Sequence, residues 1–155
     1  MITPQCAIKE SLRLYPPVPL TMRRVDRDVK LPTGQMLPRG STAVLLIEAV
    51  HRNPRYWGAD AARFRPERFL DTALTHPAQF MPFSYGPRNC VGYRYAMMSM
   101  KTALATLLRR FALLPAHAPR AAAPGTCLEE DQPLRTTFSI MMKDVDNFKV
   151  KLEFR

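Results

Sequence analysis

Residues 83–92 read Phe83-Ser84-Tyr85-Gly86-Pro87-Arg88-Asn89-Cys90-Val91-Gly92, and an apolar helical pattern begins directly after them. One cysteine stands between two glycines, with an arginine two residues upstream. Glycine lets a backbone turn tightly and approach another surface closely. The segment is therefore a tight loop that delivers Cys90 to the start of a helix. That helix aims its positive end at the loop, which favours thiolate over thiol at Cys90. The plain alternative is a Gly/Pro turn holding an inert buried cysteine, since free cysteines are often buried.

Each fixed residue has a chemical task if Cys90 ligates a haem iron. Phe83 covers the sulfur side and keeps water away. Gly86 and Gly92 bring the backbone close to a flat macrocycle, Arg88 pairs with a haem propionate, and backbone N–H groups of the turn reach the sulfur. The spacing Phe-x-x-Gly-x-Arg-x-Cys-x-Gly resembles the haem-binding loop of the cytochrome P450 monooxygenases at all six fixed positions. A chance match is expected on the order of once in several hundred thousand chains of this length. That frequency decides against the inert turn.

Glu10 and Arg13 stand three apart in a helical pattern and so share a face. Alone, such a pair is a common surface ion pair worth a few tenths of a kcal/mol. The segment Phe64-Arg65-Pro66-Glu67-Arg68-Phe69 follows it, in the order in which the same family carries Glu-x-x-Arg, Phe-x-Pro-Glu-Arg-Phe and the cysteine loop. The resemblance implies a buried network of Glu10, Arg13 and Arg68 that supports cofactor binding without taking part in chemistry. It also implies a propionate contact for Arg24, with Arg23 as the competing residue, and substrate contacts near 18–22 and 144–148. His51, His76 and His117 have no metal-ligand spacing.

Periodicity and turn residues predict a helix over 5–15 ended by Pro16-Pro17, short strands over 28–47, and helical turns with ordered loop over 48–82. They further predict a helix over 93–114 stopped by Pro115, a surface loop over 115–134, and a hairpin of 136–143 with 149–155. The fold class is mainly α with small β-sheets, and the resemblance makes it the C-terminal part of the cytochrome P450 fold, within a single domain. The long oxygen-activating helix, the distal pocket and a membrane anchor are expected outside these residues. Pro4 is awkward if the first helix continues a longer one. The wording of the loop and of the helix after it is most similar to microsomal eukaryotic members, of the insect fatty-acid-hydroxylase-like group.

The chain has 23 Lys and Arg against 13 Asp and Glu, a net charge of +10. Residues 72–128 hold six basic side chains (Arg88, Arg94, Lys101, Arg109, Arg110 and Arg120) and no acidic one. A field of one sign around the cysteine loop suits an acidic protein partner. No aromatic-basic interleaving points to nucleic acid. Cys6, Cys90 and Cys127 have no paired spacing, which argues against a zinc site or a disulfide framework and for a reducing compartment. The longest apolar run, 43–47, is far short of a membrane span.

The resemblance implies haem b ligated by the Cys90 thiolate, and insertion of one atom of O₂ into an apolar organic substrate. It implies electrons from NADPH through a flavoprotein reductase, or through a small acidic electron carrier. It implies location on the cytoplasmic face of the endoplasmic reticulum membrane. Two other readings stand beside it: a haem-thiolate isomerase or dehydratase that needs no reductase, and a truncated, non-catalytic haem-binding piece.

Overall fold

The computed structural model describes residues 3–71, 74–115, 136–138, 141–144 and 150–155. Helix α1 (Pro4–Leu14) opens on a proline, whose missing N–H falls among the donors that any first turn leaves unpaired. Pro4 therefore starts the helix instead of obstructing it. The N–H groups of Cys6 and Ala7 close the turn on the Thr3 carbonyl, and Pro16 lies just beyond the C-terminal end.

Strand β1 (Leu20–Arg24) follows, outside the 28–47 region expected to hold the strands. Its two arginines hide the alternation of a strand, and its partner lies far along the chain. It pairs antiparallel with β4 (Thr42–Leu46), from Leu20↔Leu46 to Arg24↔Thr42. Between them β2 (Val29–Lys30) and β3 (Met36–Leu37) form a short hairpin. Ile47 does not end a strand but opens helix α2 (Ile47–His51), because the Glu48 N–H turns back to the Pro19 carbonyl. Two one-turn helices follow, α3 (Pro54–Trp57) and α4 (Arg68–Asp71), and then a 3₁₀ turn at Pro77–Gln79.

Helix α5 (Tyr93–Arg110) ends four residues before the expected 114. Phe111–Pro115 is a strand, β5, and Pro115 is its last residue, not a helix stop. The run Phe-Ala-Leu-Leu suits either state, and pairing decides between them. Strand β8 (Val150–Phe154) lies antiparallel to β5, with the Phe111 and Phe154 rings 4.6 Å apart at one end. The expected hairpin of 136–143 with 149–155 is thus replaced: β6 (Thr136–Phe138) pairs with β7 (Met142–Asp144), and β8 with β5. Strand β8 takes five register pairs and an aromatic contact from β5, while β6 keeps a three-pair hairpin with β7.

The core joins α1 to α5. Ile8, Leu12 and Met97 are buried together, and Phe80, Phe83, Met100 and Leu104 pack around them. The helix carrying Glu10 and Arg13 is in this way fixed to the helix that leaves Cys90. Among the described residues, no helix is long and apolar enough to cross a membrane.

Candidate functional site

Glu10, Arg13 and Arg68 meet in one buried cluster. Arg13 grips the Glu10 carboxylate with two hydrogen bonds, from Nε to Oε2 and from Nη2 to Oε1, both 2.8 Å. Its other N–H groups donate to the carbonyls of His51 (2.7 Å), Ala61 (2.6 Å) and Arg63 (3.1 Å). Oε1 of Glu10 also accepts from Arg68 Nε at 3.0 Å and from the Arg65 N–H at 2.8 Å. Arg68 Nη2 pairs with Asp60 at 3.3 Å. Glu10 and Arg13 are fully buried. Burial pushes the Glu10 carboxyl up, but the hydrogen bonds and charge of Arg13, the Arg65 N–H and Arg68 together hold it below the ordinary value. The unit ties α1 to the segment around α3 and α4.

His51, unassigned from sequence, sits against this unit and is fully buried. Its Nε2 accepts the Met81 N–H at 2.9 Å, and Nδ1 lies 3.2 Å from the Arg13 carbonyl. A backbone N–H can only donate and a carbonyl can only accept, so the proton is on Nδ1. The ring stacks on Phe80 at 5.4 Å. Burial, and then the Arg13 charge, lower its pKa to about 4.

The cysteine loop begins two residues beyond Met81. The Phe83 carbonyl accepts the Cys90 N–H at 2.9 Å, which closes residues 83–90 into one ring. Two residues inside are left-handed: Gly86 at φ +87°, where glycine is at home, and Ser84 at φ +64°, where a side chain is unusual. Ser84 Oγ accepts from Arg23 Nη2 at 2.9 Å, which holds the strained residue to β1. Gly92 has an ordinary φ of −82°, so the tight turning falls on residues 84 and 86 rather than on Gly92. A Cβ on Gly92 would stand 3.8 Å from Cys90 Sγ, an ordinary contact. Phe83 packs edge-on against Tyr93 of α5, at 5.1 Å between ring centres. The Cys90 thiol is exposed, and it opens on a cavity of about 380 Å³ whose lining includes Leu12, Val18, Ile47, Phe83 and Arg88.

The family model described as "Cytochrome P450" matches residues 4–128. The chain belongs to the cytochrome P450 family. Similar curated proteins include "Probable cytochrome P450 4p2" of Drosophila melanogaster, 42% identical over 115 residues, covering 73% of this chain and 22% of the relative. Cytochrome P450 4F4 of Rattus norvegicus is 47% identical over 112 residues, covering 70% and 21%. Cytochrome P450 4F2 of Homo sapiens is 44% identical over 114 residues, covering 71% and 21%. The chain spans about a fifth of the length of the curated relatives it matches.

The residues present fit the haem that the P450 family implies. A lone thiol facing an apolar cavity, with a cation among the lining residues, matches a soft iron centre in an apolar macrocycle bearing carboxylates. Arg88 lines this cavity; Arg24 is exposed on β1, while its neighbour Arg23 is the arginine bonded to the loop. The residue types and spacing that mark Cys90, Glu10, Arg13 and Arg68 are visible in the P450 sequence pattern. His51 carries no such mark, because its partners Arg13 and Met81 lie on distant parts of the chain.

Proposed function

We propose that the intact protein is a haem-thiolate monooxygenase with Cys90 as the axial ligand. The observation that carries this reading is the exposed Cys90 thiol at an apolar cavity, in a chain that also holds a buried Glu-Arg-Arg unit. Haem b, when bound, supplies the activation of O₂. The overall reaction inserts one oxygen atom into a C–H bond of an apolar substrate. The second oxygen leaves as water, with two electrons and two protons that derive from NADPH and solvent.

The chain's own residues supply ligation, orientation and dryness. Cys90 donates charge from its sulfur, and the start of α5 behind it favours the thiolate. Phe83 covers the loop on the core side. Arg88 and Gly92 are proposed to meet the cofactor's rim and face. For the second propionate cation, the bond from Arg23 to Ser84 favours Arg23 over Arg24.

Electrons are proposed to come from an NADPH-dependent flavoprotein reductase or a small acidic carrier. Arg94 and Arg109 are exposed on α5 and Lys101 is half-buried there, a cationic surface that suits an acidic partner. The membrane of the endoplasmic reticulum is the proposed location, by kinship with the microsomal members the sequence resembles.

The test is the spectrum of the reduced protein with carbon monoxide. The red-shifted band of thiolate ligation is expected in the wild type and is expected to vanish in Cys90→His and Cys90→Ala. Survival of that band in Cys90→Ala, with loss in Cys6→Ala or Cys127→Ala, would move the ligand elsewhere. Rearrangement or dehydration of a peroxide substrate, with no NADPH consumed and no oxygen atom inserted from O₂, would favour the isomerase or dehydratase reading instead.

A further inference from the structure

We propose that His51 is a positioning residue for the Cys90 loop: its ring clasps the Arg13 carbonyl of α1 to the Met81 N–H and so sets where the loop presents its thiol. The proposal rests on the reading of Cys90 as the haem ligand. Arg13, in the fully satisfied charge cluster, is fixed by five bonds. Its own carbonyl meets His51 Nδ1 at 3.2 Å, and on the far side of the ring Nε2 takes the Met81 N–H at 2.9 Å. The Met81 carbonyl then accepts the Ser84 N–H at 3.0 Å, and the Phe83 carbonyl accepts the Cys90 N–H at 2.9 Å. A rigid imidazole is thus a side-chain link in a continuous path from the buried ion cluster to the cysteine.

A ring suits this position for a physical reason. It presents one donor and one acceptor at opposite edges with no torsion between them, and stacking on Phe80 fixes its plane. Two backbone groups on separate elements are then held at one separation. Cys90 is exposed, and its backbone is bonded to Phe83 of the loop and to the Tyr93 N–H, so its placement follows that of the loop. If Met81 shifts, the turn it forms with Ser84 shifts too, and Ser84 already occupies a left-handed backbone that needs outside support.

The two ring nitrogens can be replaced one at a time. In His51→Gln the side-chain amide oxygen reaches the place of Nε2 and can still accept from Met81. In His51→Asn the amide stands in for Nδ1 and can still donate to Arg13, but Met81 is abandoned. The experiment uses the intact protein and reads two quantities: hydrogen exchange at the amides of Met81, Ser84 and Cys90, and the share of thiolate over neutral-thiol signal when the reduced haem protein binds carbon monoxide. In His51→Asn, Met81 exchange is expected to speed roughly tenfold, as loss of one buried hydrogen bond implies, and the thiolate share is expected to fall. In His51→Gln, both should stay near the wild-type values.

Exchange measured before haem is added gives the same order, so a variant that does not load still reports. Wild-type Met81 protection and an unchanged thiolate share in folded His51→Asn would overturn the proposal. So would equal losses in Asn and Gln, which would reduce His51 to general packing. A wild type with no thiolate signal would instead sink the ligand assignment and leave the exchange result to be judged separately.

Discussion

At position 13 a lysine would carry the same charge as Arg13 but bring three donors against the five that arginine uses here. Those five go to both oxygens of Glu10 and to the carbonyls of His51, Ala61 and Arg63. A point charge on a flexible stem cannot reproduce a planar fork. Arg13→Lys therefore leaves buried carbonyls and part of a buried carboxylate without partners. Disrupting such a pair costs about 3–5 kcal/mol, a large share of the stability of most domains. Glu10→Gln should be as severe, because Arg13 and Arg68 would then be buried without their shared anion. Arg65 supplies the contrast: its guanidinium is half-exposed on Asp60, while its contribution to Glu10 comes from the backbone N–H. Arg65→Ala should change stability by less than about 1 kcal/mol, whereas Arg65→Pro removes the donor and should be costly. Denaturant melts of the intact protein, with haem content per chain, test the set. A normal melt for Arg13→Lys would mean that the cluster contributes little.

Between elements, the link from α1 through His51 to the cysteine loop gives the fold an acid limit. His51 has a folded value of about 4 against an ordinary 6.5, so between these the unfolded chain takes up a proton that the folded chain refuses. Stability is then full above pH 6.5 and falls as pH drops towards 4, by about 3 kcal/mol in all. Glu10, held below its ordinary 4.5, adds a second loss as pH falls further through its folded value. Melts from neutral pH downwards should show the first loss in the wild type and a much smaller one in His51→Gln, which cannot protonate. Identical acid profiles would show that His51 is not the group responsible. The part played by His51 was not legible in the sequence, and the reason is general. Cys90, Glu10, Arg13 and Arg68 are marked by side-chain type at fixed spacing, which a sequence displays. His51 works through backbone atoms 30 and 38 residues away, which it does not. The strands misread at Leu20–Arg24 and Phe111–Pro115 fail for a related reason: a short apolar or mixed run takes its state from its partner, and β4 and β8 are distant in the chain.

For the molecule as a whole, the balance of buried and exposed apolar surface is unusual for a chain expected to stay in solution alone. Among the described residues ten hydrophobic side chains are buried, while 22 large ones are exposed. They fall on particular faces. Tyr95 (78% exposed) and Met98 (67%) stand on α5, and Met22, Val44 and Leu46 stand on one face of the β1–β4 sheet, opposite the face whose Thr21 lines the Cys90 cavity. Each large side chain left in water forgoes about 1.5–3 kcal/mol, so a handful equals the whole stability of an ordinary domain. The net charge of +10 opposes association, but it cannot hide contiguous apolar faces. The 155-residue polypeptide on its own should therefore associate or melt without a sharp transition, bind haem weakly and turn over negligibly. Size-exclusion chromatography, a thermal scan and a haem titration on that polypeptide decide the matter together. A monomer that melts cooperatively and takes up one haem per chain would show that the α1–α5 core suffices by itself, and that the exposed faces need no cover.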